Sequence, residues 1–590
     1  MKHKFYIFAF LAILFAGCTT TKAAVNTEIA IVYTNDVHTY INNIKKVDGN
    51  NVAGLRFSKI SRMVKDMKAS GKEVLLVDAG DEIQGTSYGS IDEGESVINI
   101  MNAAGYDIAS FGNHEFNYGA DHFYRLSKKA KFPYVSCNFH YIGGDGKKKD
   151  FASYKIFNVG GKKIAFIGIS TPETLTSSSP VNFQNEKGEF LYSVDGSIRP
   201  EDLYDAVQKT IDMVKDKVDY CIALGHLGVS LGEVKDKTSS LDVIANTRGL
   251  DAFIGGHSHT VIERDFVSDA DGRKVLSTQT GSYLSFAGIM TIDVNGNFKT
   301  EFIQDYERAD EKVEKLENNL VSRVESEYGK QIAVFGSKLS VSAPDNDRQR
   351  LIRAQEMNIG DFTADSVYWY FNESKKLQCD AVVVNGGGIR TSINDGIVTV
   401  NDLKNVQPFG NMICIISATG QQIMDALEMG VTVTGEWDAE WNSPAENGGF
   451  LHVAGLRYKI DSTYPSSVKK DGNGMFVSVD GKYRVKNVEI YNKKTGSYEP
   501  LEVNRNYRLA GINYILRNSG NGLSMFRECP IVVDYAGLDY EVMVEYCKSF
   551  RKEGAYPVIR TKNGKLASYK GYMVDYENPY GSGRISIIKK

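Results

Sequence analysis

Five short apolar runs in the first half of the chain each end in a ligand-type side chain. Residues 29–34 lead into Asn35-Asp36-Val37-His38, residues 74–80 into Asp81, and residues 108–112 into Asn113-His114-Glu115. Residues 220–225 lead into His226, and residues 252–256 into His257-Ser258-His259. Continuous apolar runs bounded by Gly predict strands buried on both faces, and open α/β sheets gather ligands beyond the carboxyl ends of their strands. The five ends are therefore expected to converge on one polar cluster. Strand-like and helix-like segments alternate to about residue 305, which predicts an α/β domain containing parallel strands.

From about 306 to 330 the chain becomes strongly charged, with Val313, Leu316, Leu320 and Val324 at helical spacing. This predicts a linker helix within 306–334 that carries a narrow apolar stripe, its charges on a solvated face. A second α/β segment follows over 335–590, with Gly-rich turns at 385–388 and 518–522. At 590 residues the chain exceeds what one core supports, so at least two domains are expected.

Composition narrows the partners. Net charge is −4, and there is no Lys/Arg block longer than short runs such as Lys147-Lys148-Lys149, so an extended nucleic-acid polymer is not expected to bind. A small anionic substrate fits, because local Arg pairs can hold a phosphate in an acidic protein. Lys2 and Lys4 precede an apolar stretch over 5–16, which predicts an export signal over 1–18 followed by a polar tether over 19–27. Leu14-Phe15-Ala16-Gly17-Cys18 resembles a bacterial lipobox, with Cys18 as the lipidated mature N-terminus. A plain secretory signal is the alternative. No later segment approaches the roughly 20 apolar residues of a spanning helix. The expected location is the bacterial cell envelope, periplasmic or cell-surface, with membrane contact by the lipid anchor only. The six further Cys include no C-x-x-C pair, and neither a disulfide pattern nor an oligomeric state can be read from them.

The histidines sharpen the cluster. Of nine, His38, His114, His226, His257 and His259 sit at the strand ends, while His3, His122, His140 and His452 have no such context. A single buried Asp or His beside a strand is ordinarily a satisfied structural group; five repeats of the pattern point to a metal centre. Phosphate-ester hydrolysis needs a strong oxygen nucleophile and relief of phosphoryl charge, which two cations roughly 3.5–4 Å apart provide. Asp36, His38, Asp81, Asn113, His226, His257 and His259 supply a suitable mixture of carboxylate, imidazole and amide donors.

The ordered set D-x-H, G-D, G-N-H-E, G-H and G-H-x-H at these positions resembles the calcineurin-like metallophosphoesterase family. Within it, the chain resembles the bacterial 5′-nucleotidase/UDP-sugar hydrolase group over nearly its whole length after the signal. The resemblance implies an N-terminal metallophosphoesterase αββα sandwich over 28–305, joined by the helix to a C-terminal α/β substrate-binding domain over 335–590. It also implies two divalent metal ions, zinc, manganese or similar. Asp36, His38 and His259 would hold one, Asn113, His226 and His257 the other, and Asp81 would bridge. His114 would act on the transition state or protonate the leaving oxygen. The 5′-nucleotidases usually place Asp three residues after this His, where this chain has Asn117. They often carry Gln or Asn where this chain has His259.

In the second half, an apolar run over 381–384 leads into Asn385-Gly386-Gly387-Gly388-Ile389-Arg390. Gly lets backbone amides approach a phosphate or base, and Arg offers a planar fork for phosphate. By the resemblance, Asn385, Gly387 and Arg390 contact a nucleotide, joined by an Arg matching Arg353, with Arg348 and Arg350 as alternative registers. Phe409 and Tyr514 match the two aromatics that sandwich a base, and Asn521 stands where the family has an Asp for the ribose hydroxyls. The implied activity is phosphate release from nucleoside 5′-monophosphates, with hydrolysis of nucleotide-sugar pyrophosphates as an extension. The stretch around Asn117 instead resembles the 2′,3′-cyclic-nucleotide phosphodiesterase/3′-nucleotidases. A nucleotide-binding lipoprotein without turnover is a third reading.

Overall fold

Alternation along the first strand sorts the N-terminal domain into layers. In Ile29–Thr34, Ala30 and Val32 face a core shared with helices, whereas Ile29, Ile31 and Tyr33 face a second core between two sheets. This computed structural model describes residues 28–588 apart from 48–49, 145–149, 230–236, 439–442, 561–571 and 573. The expected signal, tether and Cys18 lie outside the described residues.

One six-stranded sheet contains, in order, Phe298–Ile303, Ala287–Ile292, Ile29–Thr34, Glu73–Asp78, Ile108–Ser110 and Tyr134–Val135. The last four run parallel, with Ile31 beside Leu75. The other is ordered Val261–Ser268, Lys274–Thr280, Ala252–Gly255, Tyr220–His226, Lys162–Ser170 and Tyr154–Val159. Its four central strands are parallel and its edges antiparallel. Helices Phe57–Ala69 and Glu95–Ala104 cover the first sheet, and Pro200–Val214 and Ser240–Asn246 cover the second. The result is an αββα sandwich. Because the strands around 31, 76, 109, 223 and 253 are buried on both faces, their polar continuations emerge at one edge.

The linker helix is Glu311–Tyr328, capped by Asp310, whose side chain accepts from Lys312 N and Val313 N at 3.1 and 3.2 Å. Val313, Leu320 and Val324 are buried and Leu316 packs partly against the same core as the Phe57–Ala69 helix. The charged face differs from expectation at one residue. Glu317 is fully buried, accepting from Ser58 N at 3.0 Å, because it lies one turn after Val313 on the packed stripe.

In the C-terminal half, a five-stranded sheet is ordered Leu451–Ala454, Ala381–Asn385, Asn506–Ile512, Met412–Thr419 and Ile531–Leu538. It packs on Asn358–Trp369, a helix buried along its entire length. Cys137, Cys221, Cys379, Cys414, Cys529 and Cys547 are buried free thiols.

The chain's final strand, Ile585–Ile588, pairs in parallel with Leu456–Asp461, and a buried ion pair fixes it. Arg584 forks onto Asp365 with two bonds of 2.7 Å, while Tyr572 and Tyr576 donate to the same carboxylate at 2.9 and 2.7 Å. Removing Asp365 leaves the buried guanidinium with Asp361 alone, whose Oδ2 stands 3.7 Å from Arg584 Nε. Asp365→Ala is therefore expected to destabilise the C-terminal half by about 3–5 kcal/mol, read as a fall in the urea midpoint.

Candidate active site between the two domains

The five strand ends meet. Asp36 follows Ile29–Thr34, Asp81 follows Glu73–Asp78, Asn113 follows Ile108–Ser110, His226 ends its strand, and His257 and His259 follow Ala252–Gly255. Asp36, His38 and His259 form one group of donors, and Asp81, His226 and His257 a second. Asp81 faces both: its Oδ2 lies 3.0 Å from His226 Nε2 and 3.6 Å from His38 Nε2. Asp36 Oδ1 lies 3.4 Å from His259 Nε2 and 3.9 Å from His38 Nε2. Asn113 is buried beside them.

The backbone is bent into an uncommon conformation to achieve this. Asp36, His38, Asp81, His257 and His259 all take positive φ, between 47° and 89°, which non-Gly residues rarely adopt outside strained functional segments. Side chains brace these turns. Glu115, fully buried, accepts from Asp81 N at 3.0 Å, Gly112 N at 2.7 Å and Glu82 N at 2.9 Å. Asn35 donates to Asp36 Oδ2 at 2.7 Å and accepts from Thr280 N at 2.9 Å. His257 N donates to Asp36 Oδ2 at 2.9 Å. Gly112 is required by space: a Cβ there would stand 2.3 Å from Asp81 Oδ1 and 2.5 Å from His226 Nε2.

The donor set fits divalent cations. His38 Nδ1 is bonded to Gln84 O at 2.9 Å and His226 Nδ1 to Ala79 O at 2.8 Å, which turns both Nε2 atoms inward, as ligating imidazoles require. His38 Nε2 then faces His259 Nε2 at 3.0 Å. Asn113 Oδ1 is buried without a hydrogen-bond partner, so the cluster holds a donor atom that no protein group satisfies. Burial pushes His38 and His259 well below the usual imidazole range, leaving them neutral. At His226 burial is outweighed by Asp81 and Asp36, which raise it to about 10. Burial raises Asp36 to about 6.

His114 stands at the edge of the cluster. Its Nδ1 lies 2.6 Å from Asn117 Oδ1 and its N donates to Asp81 Oδ1 at 2.8 Å. Burial lowers its proton affinity to about 3.

A cavity of about 1100 Å³ opens from this cluster into the second domain. Arg353, Asn385, Gly387, Arg390, Phe409, Tyr514 and Asn521 all line it, so every substrate position expected from the sequence reaches the same space as the metal donors. Phe409 stacks on His114 with 5.9 Å between ring centroids, and Arg390 lies 5.7 Å from the Phe409 ring. Asn385 Nδ2 donates to Asn521 Oδ1 at 3.0 Å. Tyr514 OH donates across the cleft to Thr176 O at 3.1 Å and accepts from Asn521 N at 3.2 Å.

Arg350, named as an alternative register, lines the cavity alongside Arg353. Several other lining residues escaped the sequence reading. Glu173 stands 3.7 Å from His257 Nε2. Tyr40 and Tyr283 pack together beside His38 and His259. Glu115 alone carried a local signal, as the last residue of G-N-H-E. Gly112→Ala is expected to displace Asp81 and His226 and weaken metal binding by about 10–100-fold, measured by metal titration, with the far-ultraviolet circular dichroism of the parent retained.

Comparison with known proteins finds matches to both halves of the chain. Residues 29–261 match the calcineurin-like phosphoesterase family and residues 337–528 the 5′-nucleotidase C-terminal domain. The trifunctional nucleotide phosphoesterase YfkN of Bacillus subtilis is 26% identical over 88% of this chain, which spans only 34% of YfkN. Human 5′-nucleotidase is 26% identical over 93% of this chain and 92% of its own length. The crystal structure of a 5′-nucleotidase precursor from Thermus thermophilus superposes with a TM-score of 0.74 at 25% identity, covering 95% of this chain and 100% of that one. Two divalent metal ions are the cofactors of calcineurin-like phosphoesterases, in keeping with the donor groups found here. With both of its domains matched in order, the chain belongs to the 5′-nucleotidase family of metal-dependent phosphoesterases.

Proposed function

We propose that this protein releases phosphate from nucleoside 5′-monophosphates at a dinuclear metal centre, and also hydrolyses nucleotide-sugar pyrophosphates. The observation that carries the reading is Asp81, whose carboxylate reaches both donor groups at the mouth of a cavity lined by Arg390 and Phe409. In this reading Asp36, His38 and His259 would hold one ion and Asn113, His226 and His257 the other, with Asp81 shared between the two sets. Two bound cations supply an activated water and offset charge on the phosphoryl oxygens.

The chain's own groups do the rest. Phe409 and Tyr514 stack the base, Asn385 and Asn521 meet the ribose, and Gly387 lets the backbone approach. Arg353 and Arg390 fork onto phosphate oxygens. His114, with Nδ1 turned to Asn117, presents Nε2 to the substrate. A phosphate dianion arriving beside that atom favours its protonation, and the proton passes to the leaving oxygen. Asn117 orients the ring without adding charge.

We assign residues 28–305 to catalysis, 306–334 to the connection and 335–590 to substrate capture. We also place the protein in the cell envelope, tethered through Cys18. Lys2, Lys4 and the apolar stretch before Cys18 support this, and no helix among the described residues is long and apolar enough to cross a membrane. A second reading, 2′,3′-cyclic-nucleotide hydrolysis, is favoured by the His114–Asn117 contact.

A phosphate-release panel separates the two. With Mn²⁺ or Zn²⁺ present, adenosine 5′-monophosphate is expected to turn over, and EDTA to abolish the reaction until metal is restored. Turnover of 2′,3′-cyclic AMP without turnover of the 5′-monophosphate would sink the first reading. His114→Ala is expected to lower kcat by about 10²–10⁴-fold.

A further inference from the structure

A sixth strand end reaches the cluster without contributing to either donor set. Lys162–Ser170 runs parallel to Tyr220–His226, with Ser170 paired to His226. It therefore delivers Thr171-Pro172-Glu173 to the edge where His226 and His257 stand. Glu173 Oε2 lies 3.7 Å from His257 Nε2, and its side chain, 55% exposed, opens on the cavity. A shift of under about 1 Å closes that contact to a hydrogen bond.

The imidazoles of the cluster are held in different ways. His38 and His226 each bond a backbone carbonyl through Nδ1, from Gln84 and Ala79. The His257 ring has no backbone partner among the described residues; only its main-chain N is bonded, to Asp36. A ligating imidazole ordinarily gives its other N–H to a carboxylate, a carbonyl or water, which fixes the ring and raises its basicity. At His257 the group in place for that task is Glu173, which belongs to none of the converging donor groups.

Glu173 begins a strap that is fastened on both sides of the site. Its carbonyl accepts from Thr176 N and Ser177 N at 2.9 and 2.8 Å, and Thr174 and Leu175 are buried beneath. The Ser178 hydroxyl donates to Asn113 O. Asn182 Nδ2 donates to Phe116 O at 2.8 Å and Asn117 O at 3.4 Å. From the second domain, Tyr514 OH donates to Thr176 O at 3.1 Å. The strap thus reaches His257 and Asn113, while among the described residues no hydrogen bond or ion pair joins residues 173–182 to Asp36, His38 or His259.

We propose that Glu173 is a positioning residue for the metal centre, which accepts from His257 Nε2–H and holds the ring so that its other nitrogen serves the ion assigned to Asn113, His226 and His257. This rests on the two-ion reading above. Because the strap contacts one donor set only, its effect falls on one ion and spares the other.

The test titrates the metal-free full chain with Co²⁺, followed by calorimetry and visible absorption, in wild type, Glu173→Ala and Glu173→Gln. Wild type is expected to take up two ions. Glu173→Ala is expected to weaken one binding step about 10–100-fold and to change the absorption of the ion bound in that step, with the other step held within about twofold. Glu173→Gln, whose amide oxygen still accepts from an imidazole N–H, is expected to lose less than Glu173→Ala. KM for adenosine 5′-monophosphate at saturating metal is expected to stay within about twofold of wild type. Both steps held within about twofold in Glu173→Ala overturn the role, as does equal weakening of both. A rise in KM of about fivefold or more with both steps unchanged assigns Glu173 to the substrate and also overturns it. A wild type that binds a single ion overturns the two-ion reading, and the proposal with it.

Discussion

Two carboxylates, Asp36 and Asp81, are buried within a few ångströms of four imidazoles and one amide oxygen, and the rest of the active site follows from that constraint. Buried charge is costly unless it is paired or coordinates a cation. No Lys or Arg is ion-paired to either carboxylate among the described residues, and their facing partners are His38, His226 and His259. The carboxylates are therefore stabilised by whatever positive charge the imidazole ring holds in common. Divalent cations would satisfy both acids at once, together with the unpartnered Asn113 Oδ1.

Holding the donors at that separation requires a contorted backbone. Each left-handed non-Gly residue costs of order 1–3 kcal/mol, and five of the donors adopt that conformation. The opposing terms are visible around them. Glu115 collects four amides of the 81 and 112 loops, and Asn35 ties the 36 loop to Thr280 and Gly281. The sheets beneath supply rigidity, because parallel strands buried on both faces have few alternative registers in which to relax. Catalytic geometry here is thus a property of the sandwich edge, maintained by carboxylate and amide bracing one layer behind the donors.

How far the sequence discloses this depends on the range of the interaction. The strands around Ile31, Leu76 and Ile254 are legible because full burial on both faces demands unbroken apolar runs, and their polar continuations fall together once the strands are parallel. The linker helix is legible through Val313, Leu320 and Val324. Glu317 is not, because a buried acid is indistinguishable in sequence from its solvated neighbours until Ser58 N is known to lie against it. Tyr40, Glu173 and Tyr283 line the cavity without such a signal, because only contacts between distant segments bring them there. Ser519 and Asn521 adopt left-handed turns, with φ of 57° and 53°. Those turns bring the Asn521 side chain to Asn385, a contact no local pattern announces.

The two domains contribute unevenly to the site. Metal donors come only from the first domain, where each is fixed by sheet and loop. Of the substrate residues expected from sequence, all come from the second, and they meet the first through a few direct contacts: Tyr514 OH on Thr176 O, Phe409 against His114, and Asn405 Oδ1 accepting from Ser87 N at 2.9 Å. Lys404 is held between the rings of Tyr328, at the end of the linker helix, and Tyr540, at 4.8 and 4.5 Å. The segment bearing Phe409 is thereby tied to the helix that the first domain anchors. An acid-to-amide change among the donors would remove charge the cluster depends on. Asn117 and Asn521 each carry an amide that bonds a neighbour, His114 Nδ1 and Asn385 Nδ2 respectively, and an amide makes such a bond without adding negative charge to the cavity.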